Sequence, residues 1–185
     1  MKIQGSSAGF SLVETIMATS LLATSLVALA QLLAIGTQTN ATARDSTLAT
    51  ILAQQKMEQL RGLAWGFDLA GVPFADVWTD TAAASESPLG GRGLQPSPPD
   101  TLWHNTDGYV DYLDSDGVAL GGGSSVPRGA MYVRRWSIEP LPADPDDTLV
   151  FQILVRRRSS EERDSPGSRA AGEVRLVGVK TRKTR

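Results

Sequence analysis

The feature of this sequence that most limits its structure is a long uncharged segment near the N-terminus. No charged residue occurs from Thr15 to Ala43, and residues 16–36 are apolar apart from Ser, Thr and Gln31. About 20 apolar residues are enough for a helix to cross the hydrocarbon core of a bilayer. Because the segment lacks proline and is rich in Leu and Ala, it predicts a helix of membrane-spanning length.

Small residues recur along this predicted helix: Ala18, Ser20, Ala23, Ser25, Ala28 and Ala30. Small side chains let membrane helices approach each other closely and form hydrogen bonds across the gap. We therefore expect the helix to pack against other helices as well as against lipid.

Two features distinguish the segment from an ordinary signal peptide. Glu14 lies at its start, and a carboxylate inside a bilayer costs roughly 2.5–3.5 kcal/mol and usually has a partner and a function. The short polar stretch Met1 to Gly9 also precedes the apolar run, whereas a signal peptide is cut after it. The alternative, a signal-type cut at Ala41-Thr42-Ala43, stays open at this point.

The stretch Gly9-Phe10-Ser11-Leu12-Val13-Glu14 resembles the processing motif of type IV prepilins. The resemblance implies that prepilin peptidase cuts after Gly9, that Phe10 becomes the N-methylated mature N-terminus, and that Glu14 is the assembly carboxylate. Cleavage creates an ammonium at Phe10, and Glu14 can neutralise such an ammonium in a bundle of low dielectric constant. Thr47 to Gly62 also resembles the same stretch of pilus-modification minor pilins and of type II secretion pseudopilins.

A helical pattern continues beyond the charged residues Arg44 and Asp45. One face carries an apolar stripe made of Ala49, Leu52, Ala53, Met57, Leu60 and Ala64. Lys56, Glu58, Gln59 and Arg61 are expected to lie largely outside it, with Gly62 or Gly66 as the terminator. We therefore expect one helix from Phe10 to about Leu63, with a membrane half and an amphipathic half.

The rest of the chain predicts a loop region followed by a sheet. A hairpin is expected at Tyr109–Leu113 and Val118–Leu120, around the turn Asp114-Ser115-Asp116-Gly117. Further strands are expected at Ala130–Pro140, Leu149–Arg156 and Glu173–Lys180, with a turn at Asp144 to Asp147. One face should carry Tyr132, Trp136 and Ile138, interrupted by Arg134, and the next strand should carry Leu149, Phe151, Ile153 and Val155 on one face.

One long helix followed by successive strands predicts an α+β fold of the pilin-like kind, in which the helix packs on a C-terminal antiparallel sheet. The expected segments are a leader peptide (1–9), a transmembrane and filament-core helix (10–36), the amphipathic half of that helix (37–63), a variable loop region with a hairpin near 109–120 (64–128), and the sheet with a basic tail (129–185). Net charge is +1 over residues 1–65, −7 over 66–128 and +4 over 129–185. The acidic and basic segments are either complementary surfaces or separately solvated faces.

Signals for catalysis and for cofactors are weak. The chain has no cysteine and one histidine, His104, so an ordinary zinc site is not expected. No nucleophile elbow or phosphate-binding loop occurs, and we expect no enzyme. Asp111, Asp114 and Asp116 resemble a fragment of a calcium loop, but Ser125 stands where an EF-hand needs glutamate. A plain turn is the favoured interpretation of these acids, and calcium is the alternative.

The sequence therefore predicts a minor pilin or pseudopilin subunit of a type IV pilus or a type II secretion pseudopilus. Expected partners are prepilin peptidase, other pilin subunits and the inner-membrane assembly platform. The expected location is the bacterial inner membrane, with one span and the C-terminal domain on the periplasmic side, and then the filament. The basic tail Lys180 to Arg185 could contact DNA or phospholipid, but a solvated chain end is favoured. The alternative function is a membrane-anchored or secreted binding domain.

Overall fold

The protein is described here from a computed structural model, which covers Gly9 and residues 11–82, 92–161 and 172–182. The chain divides into two units, Met1–Ala41 and Thr42–Arg185. The first unit contains the N-terminal part of a helix, and the second contains the remainder of that helix and the strands.

The long helix α1 runs from Leu12 to Gly62. It begins directly after Ser11, and Ser11 and Glu14 have the Ser-x-x-Glu spacing that is common at helix N-termini. It contains no proline and ends at a glycine, which is a common helix terminator. The expectation of one continuous long helix is confirmed over these residues.

Within the described residues, seven strands and one short helix follow α1. The bounds are β1 Trp65–Phe67, β2 Pro73–Ala75, β3 Val110–Leu113, β4 Ala119–Gly122, β5 Tyr132–Leu141, β6 Asp144–Arg157, α2 Arg158–Glu161 and β7 Val174–Thr181. β1 and β2 form a small hairpin, and the other strands form one sheet in the order β4-β3-β5-β6-β7. All paired strands are antiparallel. The predicted α+β arrangement, with a helix packed on a C-terminal antiparallel sheet, is confirmed.

The core of the second unit lies between the C-terminal part of α1 and one face of this sheet. The helix contributes Ala49, Leu52, Ala53, Met57 and Leu60, and the strands contribute Tyr132, Trp136, Ile138, Leu149, Phe151, Ile153 and Val155. Both predicted strand faces are therefore correct. Gly178 of β7 lies where a Cβ atom would come within 2.7 Å of Met57 Sδ, so a side chain at this position would force the end of the Met57 side chain to move.

Two local predictions are wrong. The turn between β5 and β6 is formed by Pro142 and Ala143, and Leu141 pairs with Asp144, so residues 144–147 belong to β6. Proline suits a turn because its φ is fixed and it has no N–H to donate. The β1–β2 hairpin lies in a region that was expected to be loop, because strands of three residues are too short to show alternation.

Candidate functional site

The last three residues of the N-terminal motif, Leu12 to Glu14, form the start of α1. Gly9 and Glu14 are exposed, and Glu14 lies in the first turn of the helix. Phe10 lies outside the described residues. A carboxylate in the first turn also interacts favourably with the helix dipole, so helix initiation alone gives Glu14 one role.

The segment after Glu14 has the composition and length of a membrane span. α1 contains an 18-residue window with a mean hydropathy of 1.9, none of it buried within the chain. Each Ser and Thr hydroxyl from Thr15 to Thr39 donates to a backbone carbonyl three or four residues earlier. These hydroxyls therefore need no outside partner, as a hydrocarbon environment requires. A single N-terminal apolar helix can anchor this protein in a membrane.

One side of this segment is a shallow groove lined by Ala23, Thr24, Val27, Ala28 and Gln31. Ala23 and Ala28 are among the small residues predicted to admit a neighbouring helix. The groove is thus a surface on which another membrane helix can pack closely.

A buried ion cluster between α1 and the sheet is the main feature that sequence reasoning missed. Lys56 was expected outside the apolar stripe, yet its side chain is only 1% exposed. Its Nζ lies 2.8 Å from Asp111 Oδ2 on β3, and Arg134 Nη2 on β5 lies 2.6 Å from the same oxygen. The lysine is tolerated in the core because this carboxylate offsets its charge.

Further contacts complete the surroundings of Lys56. Its Nζ donates to Gln59 Oε1 at 2.9 Å and to the Thr81 carbonyl, and it lies 4.0 Å from the centre of the Trp136 ring. Burial lowers the pKa of Lys56 to about 8, while the charge of Asp111 acts in the opposite direction and that of Arg134 reinforces the decrease.

Arg134 connects the cluster to the helix backbone. Its Nη1 donates to the Leu52 carbonyl at 3.0 Å and to Gln55 Oε1 at 3.3 Å. The arginine that interrupts the predicted apolar face of β5 is thus paired with Asp111 and bound to α1. This pair also joins the basic C-terminal segment to the acidic middle segment. Charged residues at inward positions of β3 and β5 were the signal that could have revealed the cluster.

The dipeptide Arg135-Trp136 presents its two side chains to opposite faces of β5. Trp136 is buried in the core, where its ring lies 6.4 Å from that of Tyr109. Arg135 instead donates through Nε and Nη2 to Asn105 Oδ1, at 2.9 and 2.6 Å. Arg135 therefore holds the loop before β3 on one face of the sheet, and Trp136 packs in the core on the face towards α1.

The three candidate calcium ligands have different surroundings. Asp111 contacts Lys56 and Arg134, while Asp114 Oδ1 accepts hydrogen bonds from the amides of Asp116 and Val118 at 2.9 and 2.8 Å. Among the residues that the structure covers, no group of three or more His, Cys, Asp or Glu is placed to hold a metal ion. Asp114 and Asp116 lie in a turn, in which the Gly117 amide donates to the Asp114 carbonyl at 3.3 Å.

Two bases of the predicted basic tail contact the second unit itself. Lys180 Nζ donates to the Arg61 carbonyl at 2.5 Å and to the Leu63 carbonyl, at the C-terminal end of α1, where a cation also complements the helix dipole. Arg182 Nη1 donates to the carbonyls of Gly66 and Phe74 at 2.8 and 2.9 Å. Residues 183–185 lie outside the described residues.

Comparisons of the chain with models of protein families, with curated proteins and with solved structures found no match. Its function is therefore inferred from its own residues. These residues provide a six-residue stretch that resembles a prepilin processing motif, a helix long and apolar enough to cross a membrane, and a buried ion cluster within the second unit.

Proposed function

We propose that this chain is a minor pilin or pseudopilin subunit. It is made as a precursor in a bacterial inner membrane, cut after Gly9 by prepilin peptidase, and assembled into a type IV pilus or a type II secretion pseudopilus. The observation that carries the proposal is the continuity of α1, which begins at Leu12, directly after the motif, and ends at Gly62 within an α+β domain.

The pairing of Glu14 with a new N-terminus gives a physical reason for a cleavage motif directly before an apolar helix. Cleavage leaves an ammonium at Phe10, four residues before Glu14 in the sequence. An unpaired charge in an apolar bundle is costly, so an arriving subunit is most stable where its ammonium meets a carboxylate of a neighbour. Such a head-to-tail contact does not close on itself and therefore generates a helical filament.

The apolar groove on α1 supports the same proposal. Ala23, Ala28 and the neighbouring residues form a surface for close packing of a second helix. In the filament this second helix belongs to another pilin subunit. In the membrane, the domain that follows α1 lies on the periplasmic side, and the assembly platform extracts the processed chain.

The alternative, a membrane-anchored or secreted binding domain, shares the apolar helix but not the filament. The discriminating experiment shears surface filaments from cells that express a tagged chain and probes the filament fraction. We expect the tag in this fraction, and its loss in cells without prepilin peptidase. A chain that stays in the membrane or the medium, equally in both strains, would contradict the proposal.

A further inference from the structure

We propose that an apolar knob at one end of the second unit docks into a groove at the opposite end of this unit in a second copy of the chain. The knob is the β1–β2 hairpin with the loop after it, and its exposed apolar residues are Phe67, Leu69, Val72, Phe74 and Trp78. The groove is lined by Ala130, Met131, Arg157, Arg158 and Ser159. This inference rests on the proposed function as a filament subunit, and it names one surface through which copies meet.

The knob is unusually apolar for a solvent-facing surface. Leu69, in the hairpin turn, is 94% exposed, and Trp78 is 82% exposed. Clustered exposed apolar residues with a polar rim mark protein interaction sites, and aromatic residues contribute most to such contacts.

The knob is also held rigidly, which lowers the entropy cost of docking. Arg182 donates to carbonyls of both hairpin strands, and its guanidinium lies 3.7 Å from the centre of the Trp65 ring. Trp65 Nε1 donates to the Asp147 carbonyl at 3.1 Å. Asp68 Oδ1 accepts hydrogen bonds from the amides of Ala70 and Val72, both at 2.8 Å, and so fixes the turn that presents Leu69.

The groove has the size and the lining to receive an apolar side chain. It is open to solvent and has a volume of about 230 Å³. Ala130 and Met131 provide apolar surface, and Arg157 and Arg158 provide positive charge at its side. Arg157 is fixed in place by Asp45, with Nη1 2.6 Å from Oδ2.

The knob and the groove lie at opposite ends of the same strand. β6 begins beside the knob, where the Asp147 carbonyl meets Trp65, and ends at Arg157 in the groove. Two different surfaces at opposite ends of one unit make a heterologous contact, which repeats from copy to copy and gives an open filament when the rotation between copies does not close a ring. This geometry is the reason for choosing a second copy as the occupant.

The charges beside the two surfaces are complementary. The knob is accompanied by the exposed acids Asp68 and Asp146, whereas the carboxylate of Asp147 is paired with Arg182 at 3.3 Å. The groove has Arg158, and also Arg157, whose charge is paired with Asp45 of the same chain. Complementary charges favour this pairing of ends and disfavour the pairing of two knobs or two grooves.

The test uses disulfide cross-linking of the full-length chain in membranes, because the natural sequence has no cysteine. Two differently tagged copies are co-expressed, one with Leu69→Cys and the other with Ser159→Cys, and are then oxidised. We expect a disulfide-linked pair carrying both tags, at least tenfold more abundant than in the matched control pair of Leu69→Cys with Ser124→Cys, an exposed serine that does not line the groove. Equal yields in the two pairs, or no yield with Ser159→Cys, would overturn the docking.

A charge exchange tests the complementarity separately. Asp146→Lys in the copy with Leu69→Cys should lower the cross-linking yield severalfold, and Arg158→Asp in the other copy should restore it. A yield that is unaffected by either change overturns the role of the charges. Processing at Gly9 is measured in the same samples by mass spectrometry. Processed chains without the cross-link overturn the docking alone, whereas cross-linked chains without processing overturn the filament proposal.

Discussion

Lys56 on α1 and Asp111 on β3 form a buried ion pair, with Nζ 2.8 Å from Oδ2. Arg134 on β5 shares the same carboxylate oxygen, so one acid holds two bases from different elements. A helix displaced along the sheet would leave at least one of these charges buried without a partner. The cluster therefore favours one register of α1 on the sheet over its alternatives, beyond what the apolar contacts specify.

Removal of the shared acid should be much more damaging than removal of one base. Asp111→Asn leaves two buried cations together, and we expect it to lower the free energy of unfolding by about 3–5 kcal/mol. Lys56→Met leaves Asp111 paired with Arg134, and we expect a smaller loss. Chemical denaturation of the full-length chain in detergent, followed by circular dichroism, measures both.

The control for this pair of variants is Arg61→Met, which removes an exposed ion pair with Glu58. Exposed pairs contribute about 0–1 kcal/mol, so this variant should unfold almost as the natural chain does. Equal losses for Asp111→Asn and Arg61→Met would show that the buried cluster does not hold the helix.

The lowered pKa of Lys56 predicts a specific dependence of stability on pH. The folded chain releases this proton near pH 8, but the unfolded chain keeps it to about 10.5. The unfolded state therefore binds more protons between these values, and stability from this group rises with pH by about 1.4 kcal/mol per unit. Relative to Lys56→Met, the natural chain should gain a few kcal/mol between pH 8 and 10.5.

Unfolding titrations of both proteins at several pH values measure this difference, and effects of the other titrating groups largely cancel in it. Below pH 8 the difference should be constant, because Lys56 is charged in both states. A difference that stays constant up to pH 10.5, or one that falls, would contradict the proposed state of Lys56.

Glu14 has two possible roles, helix initiation and charge pairing, and one substitution separates them. Glutamine can replace glutamate in a capping box but carries no charge. We therefore expect Glu14→Gln to be processed after Gly9 as the natural chain is, yet to enter filaments at least tenfold less. Immunoblots of sheared filaments and of membranes provide both readouts.

The matched control is Glu14→Asp, which keeps the negative charge at the same position and should retain much of the assembly. Incorporation of Glu14→Gln at the natural level would limit Glu14 to helix initiation.

The sequence predicts the long periodic elements of this protein well. α1 and the inward face of β6, with Phe151 and Ile153, repeat their patterns over many residues, so single exceptions do not hide them. The prediction that Lys56 lies outside the buried face was wrong because its environment depends on Asp111 and Arg134. These residues come 55 and 78 positions later in the chain, and helical spacing carries no information about them. The turn at Pro142 and Ala143 was predicted at Asp144 to Asp147 instead, because that neighbouring stretch is more polar.

Some of the candidate functional sites can be predicted from the sequence, and others cannot. The stretch that resembles a prepilin processing motif is local in sequence, so the proposal that it is cut depends on only six consecutive residues. The groove brings Met131, directly before β5, together with Arg158 of α2. The knob depends on Arg182, which holds β1 and β2 from 116 and 108 residues later in the chain. These surfaces arise from tertiary contacts, so no short pattern in the chain predicts them.

The measurement that tests the central proposal most directly is the mass of the N-terminal peptide of the mature protein, purified from cells that contain prepilin peptidase. We predict that this peptide begins at Phe10 and carries one additional methyl group on its amine. In cells without the peptidase, the chain should instead keep residues 1–9. A mature protein that begins near Arg44, or one that keeps the leader in both strains, would contradict the assignment of this chain as a filament subunit.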